Sequence, residues 1–273
     1  MKFAICNETF EDWPPEKTAE AIAKCGYTGI EIAPFTLNAD ARQITASQKK
    51  GLIDACRAWG LEIVGLHWLL AKTQGLHLTS PDVPTRERTR DYLIELARLC
   101  RELGGQVMVF GSPQQRNLQD GISTEQGLQF AAEVFSALMP ACRKNDVVLA
   151  VEPLGPQEGN FLNTADETAR LVDMVDHPNC RLHLDCKAMT SEREEIPDII
   201  ATHANRLEHF HANDPNLLGP GMGELQFESI LKSLRDSNYQ GWISVEVFDY
   251  SPGAVKIAQE SIDYLRQCLA KVS

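Results

Sequence analysis

The sequence has no CxxC pair, no glycine-rich turn behind its first apolar segment, no apolar run approaching membrane-span length and no surplus of basic charge. The first absence matters because there are eight cysteines, at 6, 25, 56, 100, 142, 180, 186 and 268. Scattered in this way they read as reduced thiols rather than a disulfide framework, which points to a cytoplasmic address. The start, MKFAICNETFEDW, has one Lys and a very short apolar run before acidic residues set in. It resembles neither a signal peptide nor an anchor, so no membrane partner is expected. The 26 Lys and Arg stand against 38 Asp and Glu, a formal charge of −12. That balance repels phosphate backbones, and with no basic patch to offset it nucleic acid is not an expected partner. An apolar share of 43% beside 23% charged residues is ordinary for a globular chain.

What is present is a regular alternation. Short apolar, β-rich runs recur about every 30 to 35 residues, each followed by a segment with apolar residues three and four apart. The spacing predicts strands at Phe3 to Cys6, Gly29 to Ala33, Glu62 to Leu66, Val107 to Phe110, Val147 to Val151, Arg181 to Leu184, Leu207 to Phe210 and Trp242 to Val245. Helices are predicted at Pro15 to Cys25, Ala46 to Trp59, Thr85 to Leu103, Glu125 to Arg143, Thr164 to Val175, Ile196 to Ala204, Phe227 to Leu234 and Ala254 to Leu269. Pro15 suits a first helical turn, and Gly26, Gly60 and Gly104 fall where helices should end. Eight βα units can form a closed barrel or a doubly wound sheet, but the latter usually carries a glycine-rich phosphate turn after its first strand, and here that turn reads CNETF. The expectation is an α/β fold, a single (β/α)₈ TIM barrel spanning residues 1–273 as one domain, with no linker dividing it.

In such a barrel the chemistry sits at the C-terminal ends of the strands. Four consecutive predicted strands end alike: VVLAVEP in Glu152, RLHLDC in Asp185, LEHFHAND in His211 and WISVEVF in Glu246. Singly, each has a bland reading as a solvated loop carboxylate, a helix cap or a hydrogen-bonded core imidazole. Jointly, they put three carboxylates and an imidazole on one rim, where unpaired negative charges repel and are costly to desolvate. A cation resolves the conflict. Oxygen-rich donors with one nitrogen suit a single divalent ion with open positions, Mn²⁺ first and Mg²⁺ or Co²⁺ as alternatives. Cys186, beside Asp185, reads as packing.

These stretches resemble the xylose-isomerase-like barrels of sugar and sugar-phosphate isomerases and epimerases, above all their ketose 3-epimerase and inosose dehydratase branches. The strongest match is VEPLGPQEGNFLNT, Val151 to Thr164, joined by LHLD, FHANDPN and SVEVF, and by GLHWLL and VFGSPQQR as pocket walls. The resemblance implies that Glu158, six residues after Glu152, contacts substrate. It also exposes departures: where ketohexose 3-epimerases carry a His and an Arg that hold substrate oxygens, this chain has Ala188 and Leu217. Free ketohexoses are therefore expected to be poor substrates, with Lys187 and Asn213 standing nearby as different donors. His67 is a further candidate substrate contact and Trp68 a candidate apolar wall for the C–H faces of a sugar. Arg116 is a candidate grip for a phosphate or carboxylate, against the plainer reading of a surface ion pair. His183 and His209 receive no role, because their facing depends on register.

An ion that chelates a carbonyl and its adjacent hydroxyl acidifies the C–H between them. Glu152 and Glu246 are the expected catalytic pair, one removing that proton and the other returning it through an enediolate. Epimerisation, aldose–ketose exchange and, by loss of a β-hydroxyl, dehydration of an inosose-type keto-polyol all use these parts. Abasic-site endonucleases share the barrel, but their multi-zinc clusters need ligands that Asn7, Pro34, His67 and Gly111 at the first four strand ends do not complete. A non-catalytic sugar-binding barrel is disfavoured by the intact glutamate pair. The expected partner is a small sugar or polyol, with a homo-oligomer left open.

Overall fold

Apolar runs buried on both sides become parallel strands, and the amphipathic segments between them fold back as helices that cover the sheet. The strands are β1 (Lys2–Cys6), β2 (Gly29–Ile32), β3 (Glu62–Leu66), β4 (Val107–Phe110), β5 (Val148–Val151), β6 (Cys180–Asp185), β7 (Leu207–Ala212) and β8 (Trp242–Val245). In the computed structural model, which describes residues 1–272, they form a closed barrel in chain order, each parallel to the next, with β1 closing on β8. Ser273, the last residue of the domain expected over 1–273, lies outside the described residues.

The helices are α1 (Pro15–Cys25), α2 (Ala46–Ala58), α3 (Val83–Leu103), α4 (Thr124–Asn145), α5 (Ala165–Val175), α6 (Cys186–Met189), α7 (Ile196–His203), α8 (Phe227–Asp236) and α9 (Ala254–Val272). Their ends have local causes. Thr45 with Gln48, and Ser123 with Gln126, form reciprocal capping boxes at the starts of α2 and α4. Gly26 and Gly104 end α1 and α3 at φ +103° and +95°, a left-handed conformation that glycine adopts without penalty. No helix among the described residues is long and apolar enough to cross a membrane.

Two differences from the sequence reading bear on function. Strands β6 and β7 run on to include Asp185 and His211, and α6 begins immediately at Cys186, so the fold turns directly behind a predicted ligand. Cys186 is fully buried on that helix, not on a continuing strand.

Period-two alternation sorts each strand. One set of residues, including Ile5, Ile32, Phe110, Leu149, Leu184, Phe210 and Val245, joins the large apolar cluster that also holds the helix faces. Two small clusters, Ala4, Val64 and Trp242, and Val107, Val109 and Ala150, lie apart from it. Stepping back by two residues from Asp185, His211 and Glu246 gives His183, His209 and Ser244, all fully buried. A polar layer thus underlies the rim. All eight cysteines are free and buried, and burial pushes the thiols of Cys56, Cys142 and Cys180 up to about 12.

Candidate metal centre and adjoining cavity

Glu152 follows β5, Asp185 ends β6, His211 lies near the end of β7 and Glu246 follows β8. Each offers one donor atom, and these atoms all lie within 4.8 Å of one another. All four residues are buried. Main-chain and side-chain bonds fix their aim. The Glu152 N–H donates to the Phe110 carbonyl at 3.1 Å, and Asp185 accepts from the Ala188 N–H at 2.8 Å and from Asn213 Nδ2 at 2.6 Å. A Cβ at Gly111 would stand 1.6 Å from Glu152 Oε2, so a side chain there would displace that carboxylate.

The four groups are electrostatically unequal. Burial, reinforced by the charges of Glu246 and Asp185, raises the Glu152 carboxyl well above the usual range. Burial likewise pushes Asp185 up to about 6. For Glu246, burial is outweighed by the charge and hydrogen bond of His211 and by His67, so this carboxyl is lowered. Its Oε1 accepts from His67 Nδ1 and from the Trp68 indole N–H, each at 3.1 Å, and its Oε2 from His211 Nδ1 at 3.1 Å. Among the described residues no donor hydrogen-bonds the Glu152 carboxylate, and the nearest imidazole nitrogen, His183 Nε2, stands 3.7 Å away.

This donor set fits a divalent cation. Three carboxylates converge in a buried site, where their mutual repulsion and desolvation are costs that a cation relieves. On the far side of His211, Nε2 lies 3.1 Å from Glu31 Oε2. A carboxylate behind a ligating imidazole fixes its tautomer and ring orientation. Glu31 Oε2 is also 2.9 Å from His209 Nε2 and 3.7 Å from Cys6 Sγ. His183 packs 4.2 Å from the His211 ring, with neither of its nitrogens hydrogen-bonded. The charges of His209 and His211 overcome burial to hold Glu31 well below the usual carboxylate range.

The candidate substrate contacts divide. Glu158 and Lys187 meet at 2.7 Å between Oε1 and Nζ, and the Lys187 ammonium lies 4.4 Å over the Phe248 ring. Asn213 accepts from the Lys187 N–H at 2.8 Å while holding Asp185, so it braces the start of α6. Two readings are corrected. His67 is 1% exposed, and both ring nitrogens are already engaged, by Glu246 and by Glu8 Oε2 at 2.9 Å, which leaves none to offer a substrate. Arg116 is neither a surface ion pair nor a free anion grip: it is 1% exposed and donates to the main-chain carbonyls of Glu152 and Leu162. Trp68 lines the cavity beside the centre. Its backbone has φ +52°, a strained value for a bulky residue, and its ring packs near Phe35 and Phe248.

Sequence reasoning missed Glu8, Glu31, His183 and His209. For Glu31 a signal existed, since a carboxylate flanked by Ile30 and Ile32 in the short strand GIEI has to face the barrel interior. For the histidines the two-residue step back from the ligands was the signal. Beside the centre, over the ends of β1 to β4, lies a cavity of about 900 Å³ whose walls include Glu8, Phe10, Trp13, Phe35, Trp68 and Tyr250. It reaches the four ligands through Trp68 and through Glu8, which are hydrogen-bonded to Glu246 directly and by way of His67.

The profile of the xylose isomerase-like TIM barrel matches residues 19–268. A probable ketose 3-epimerase of Synechocystis sp. is 25% identical over 267 residues, covering 89% of this chain and 86% of that protein. Hydroxypyruvate isomerase of Escherichia coli is 26% identical over 241 residues, covering 83% of this chain and 85% of that one. A crystal structure of D-psicose 3-epimerase in the presence of D-fructose superposes with a TM-score of 0.87 at 20% identity, covering 98% and 99% of the two chains.

Proposed function

The chain belongs to the xylose isomerase-like TIM-barrel family, and within it we propose that it is a divalent-metal-dependent sugar isomerase or epimerase. The reading rests above all on the four strand-end donors within 4.8 Å of one another, three of them carboxylates. Relatives that are a ketose 3-epimerase and a hydroxypyruvate isomerase support the reaction class. Glu152, Asp185, His211 and Glu246 would hold the ion, with Mn²⁺ ahead of Mg²⁺ or Co²⁺ for so oxygen-rich a set. When bound, the ion supplies Lewis-acid polarisation of a carbonyl and its neighbouring hydroxyl.

The chain's own residues then divide the proton work. Glu246, held through Oε1 by the donors His67 and Trp68, is the positioned base that takes the proton beside the carbonyl, while His211 Nδ1, which faces its Oε2, would turn to the ion. Glu152, among the donors on the neighbouring side of the ligand set, would return a proton from the other side. Return to the same carbon inverts it, and return to its neighbour exchanges aldose and ketose. Asp185 and His211 serve as anchors, braced by Asn213 and Glu31. The Lys187–Glu158 pair presents an ammonium and a carboxylate to substrate hydroxyls. Ala188 is buried and Leu217 is 43% exposed, and neither is a polar side chain, so free ketohexoses should be turned over slowly.

The test is solvent exchange. The Mn²⁺-loaded protein, incubated in deuterated water with a panel of ketoses, their phosphates and inososes, should label at least one compound at the carbon beside its carbonyl. Glu152→Gln and Glu246→Gln should each suppress labelling while metal content is followed in parallel. No label on any member of the panel, or undiminished exchange in both variants, would sink the proposal.

A further inference from the structure

Beneath the rim lie two imidazoles, His183 and His209, that the proposed reaction does not use. Both are 0% exposed, and Glu31 between the strands is 1% exposed. His183, His209 and His211 each offer a nitrogen, and these atoms lie within 4.8 Å of one another. Glu31 borders the group, its Oε2 standing 2.9 Å from His209 Nε2 and 3.1 Å from His211 Nε2. The backbone is adjusted to make this layer. Among the described pairings of the barrel, the register shifts fall between Ile30 and Glu31 and between Leu182 and His183, each immediately before a member of the group. Such irregularities re-aim the side chains beside them and are over-represented next to functional sites.

The layer is short of partners. Glu31 Oε2 takes both imidazole contacts and lies 3.7 Å from Cys6 Sγ, while Oε1 is buried with none. His209 Nδ1 and both nitrogens of His183 are likewise buried without a hydrogen bond among the described residues. A neutral imidazole carries one N–H and one lone pair. With the Nε2–H of His209 given to Glu31, its Nδ1 is a bare lone pair, and one nitrogen of His183 is another. Buried acceptors left unpaired are costly. A cation satisfies the lone pairs and the free carboxylate oxygen together.

We infer that this layer is a second cation site, in which Glu31, His183 and His209 hold a zinc-class ion and His211 forms the wall shared with the rim. Two imidazoles and a carboxylate with a fourth position open are a set that zinc takes. Imidazole-rich donors also favour Zn²⁺ or Ni²⁺, whereas Mn²⁺ and Mg²⁺ suit the oxygen-rich rim. His211 turns Nδ1 to Glu246 and Nε2 to Glu31, so the two sites sit back to back across one ring. The ligands come from β2, β6 and β7. An ion held there ties one side of the barrel to the other behind the reacting groups, so its role is structural.

Equilibrium dialysis followed by metal analysis tests this with the metals alone. The parent should retain about one more Zn²⁺ than Mn²⁺ per chain. His183→Leu and His209→Leu should each lose about one Zn²⁺, with circular dichroism showing that they fold, and His183→Leu should keep its Mn²⁺. In Asp185→Asn, which strips a rim ligand, the zinc that remains should show imidazole scattering in X-ray absorption, and adding His183→Leu should remove it. A zinc content that neither leucine substitution lowers overturns the site, because the extra ion then lies elsewhere. Loss of Mn²⁺ along with zinc in His183→Leu overturns it too, since the layer would then belong to the rim centre. The result is separate from solvent exchange. Deuterium labelling with zinc content unmoved removes the inner site and keeps the isomerase, and zinc loss in the leucine variants without labelling does the opposite.

Discussion

The two halves of the barrel mouth are built for different tasks. Strands β5 to β8 end in the four donors, each on its own strand, and α6 adds the lysine that meets Glu158. Strands β1 to β4 end in none of the four proposed ligands. They supply Glu8, Glu31, His67 and Trp68, which touch the ligands from behind or beside, and the aromatic cavity. On the proposed function, the barrel places the reacting groups on one arc of its rim and uses the other arc to hold those groups still and to shape what approaches them.

The sharpest way to break that division is to exchange a ligand. Asp185→Asn and His211→Ala should lose most bound metal, with activity falling by more than about a hundredfold, beyond the range usual for supporting partners. Metal analysis of the purified variants beside their turnover decides it, and full occupancy in both would move the centre elsewhere. The supporting arc should come next. His67→Ala and Glu31→Gln are expected to weaken metal affinity by about 10–100-fold, measured by competition with a chelator. If these changes alter only substrate KM, the first four strands contact substrate and do not brace the centre.

A pH series sharpens the same contrast at smaller amplitude. Asp185 is raised to about 6 and Glu152 is also raised, so protons compete with the ion for these groups. Metal affinity should therefore increase as pH rises through about 6, by roughly tenfold per unit where one proton is displaced. The sign reverses for the metal-free fold. A carboxyl raised above its unfolded value of 3.8 contributes stability that is complete below that value and is lost as pH rises through about 6. Melting curves with and without Mn²⁺ should thus diverge as pH increases, and parallel curves between pH 4 and pH 8 would contradict the assignment.

The smallest effect on activity is expected at Arg116, which stitches the loop after β4 to the main chain after β5. Arg116→Met should leave turnover within severalfold of the parent while costing about 1–3 kcal/mol of stability for each buried carbonyl left unsatisfied. Denaturant unfolding measures the cost, and a collapse of substrate binding at unchanged stability would restore Arg116 as a substrate contact.

The convergence of Glu152, Asp185, His211 and Glu246 was legible because a barrel strand is short and apolar and carries a polar residue at or just past its end, one unit at a time. Strand and helix positions were legible for the same reason, to within a few residues. Glu8 and the contacts of Glu31 were not, because Glu8 meets His67, just beyond β3, and Glu31 meets His211, on β7, only inside the closed barrel. Arg116 misled because an arginine in a polar loop looks solvated until the backbone carbonyls of Glu152 and Leu162 are known to need donors. The cavity was the least legible feature, since empty space is a property of five loops together and of no segment by itself.

The shielded thiols turn the molecule into its own recorder. With all eight cysteines free, buried and, for Cys56, Cys142 and Cys180, far from ionising at neutral pH, a thiol reagent finds no reactive thiolate on the closed barrel. Each label added under native conditions marks one passing exposure of one βα unit. Because the cysteines fall on β1, α1, α2, α3, α4, β6, α6 and α9, the order in which they react would map which staves of the barrel part first and which stay joined until the whole chain lets go.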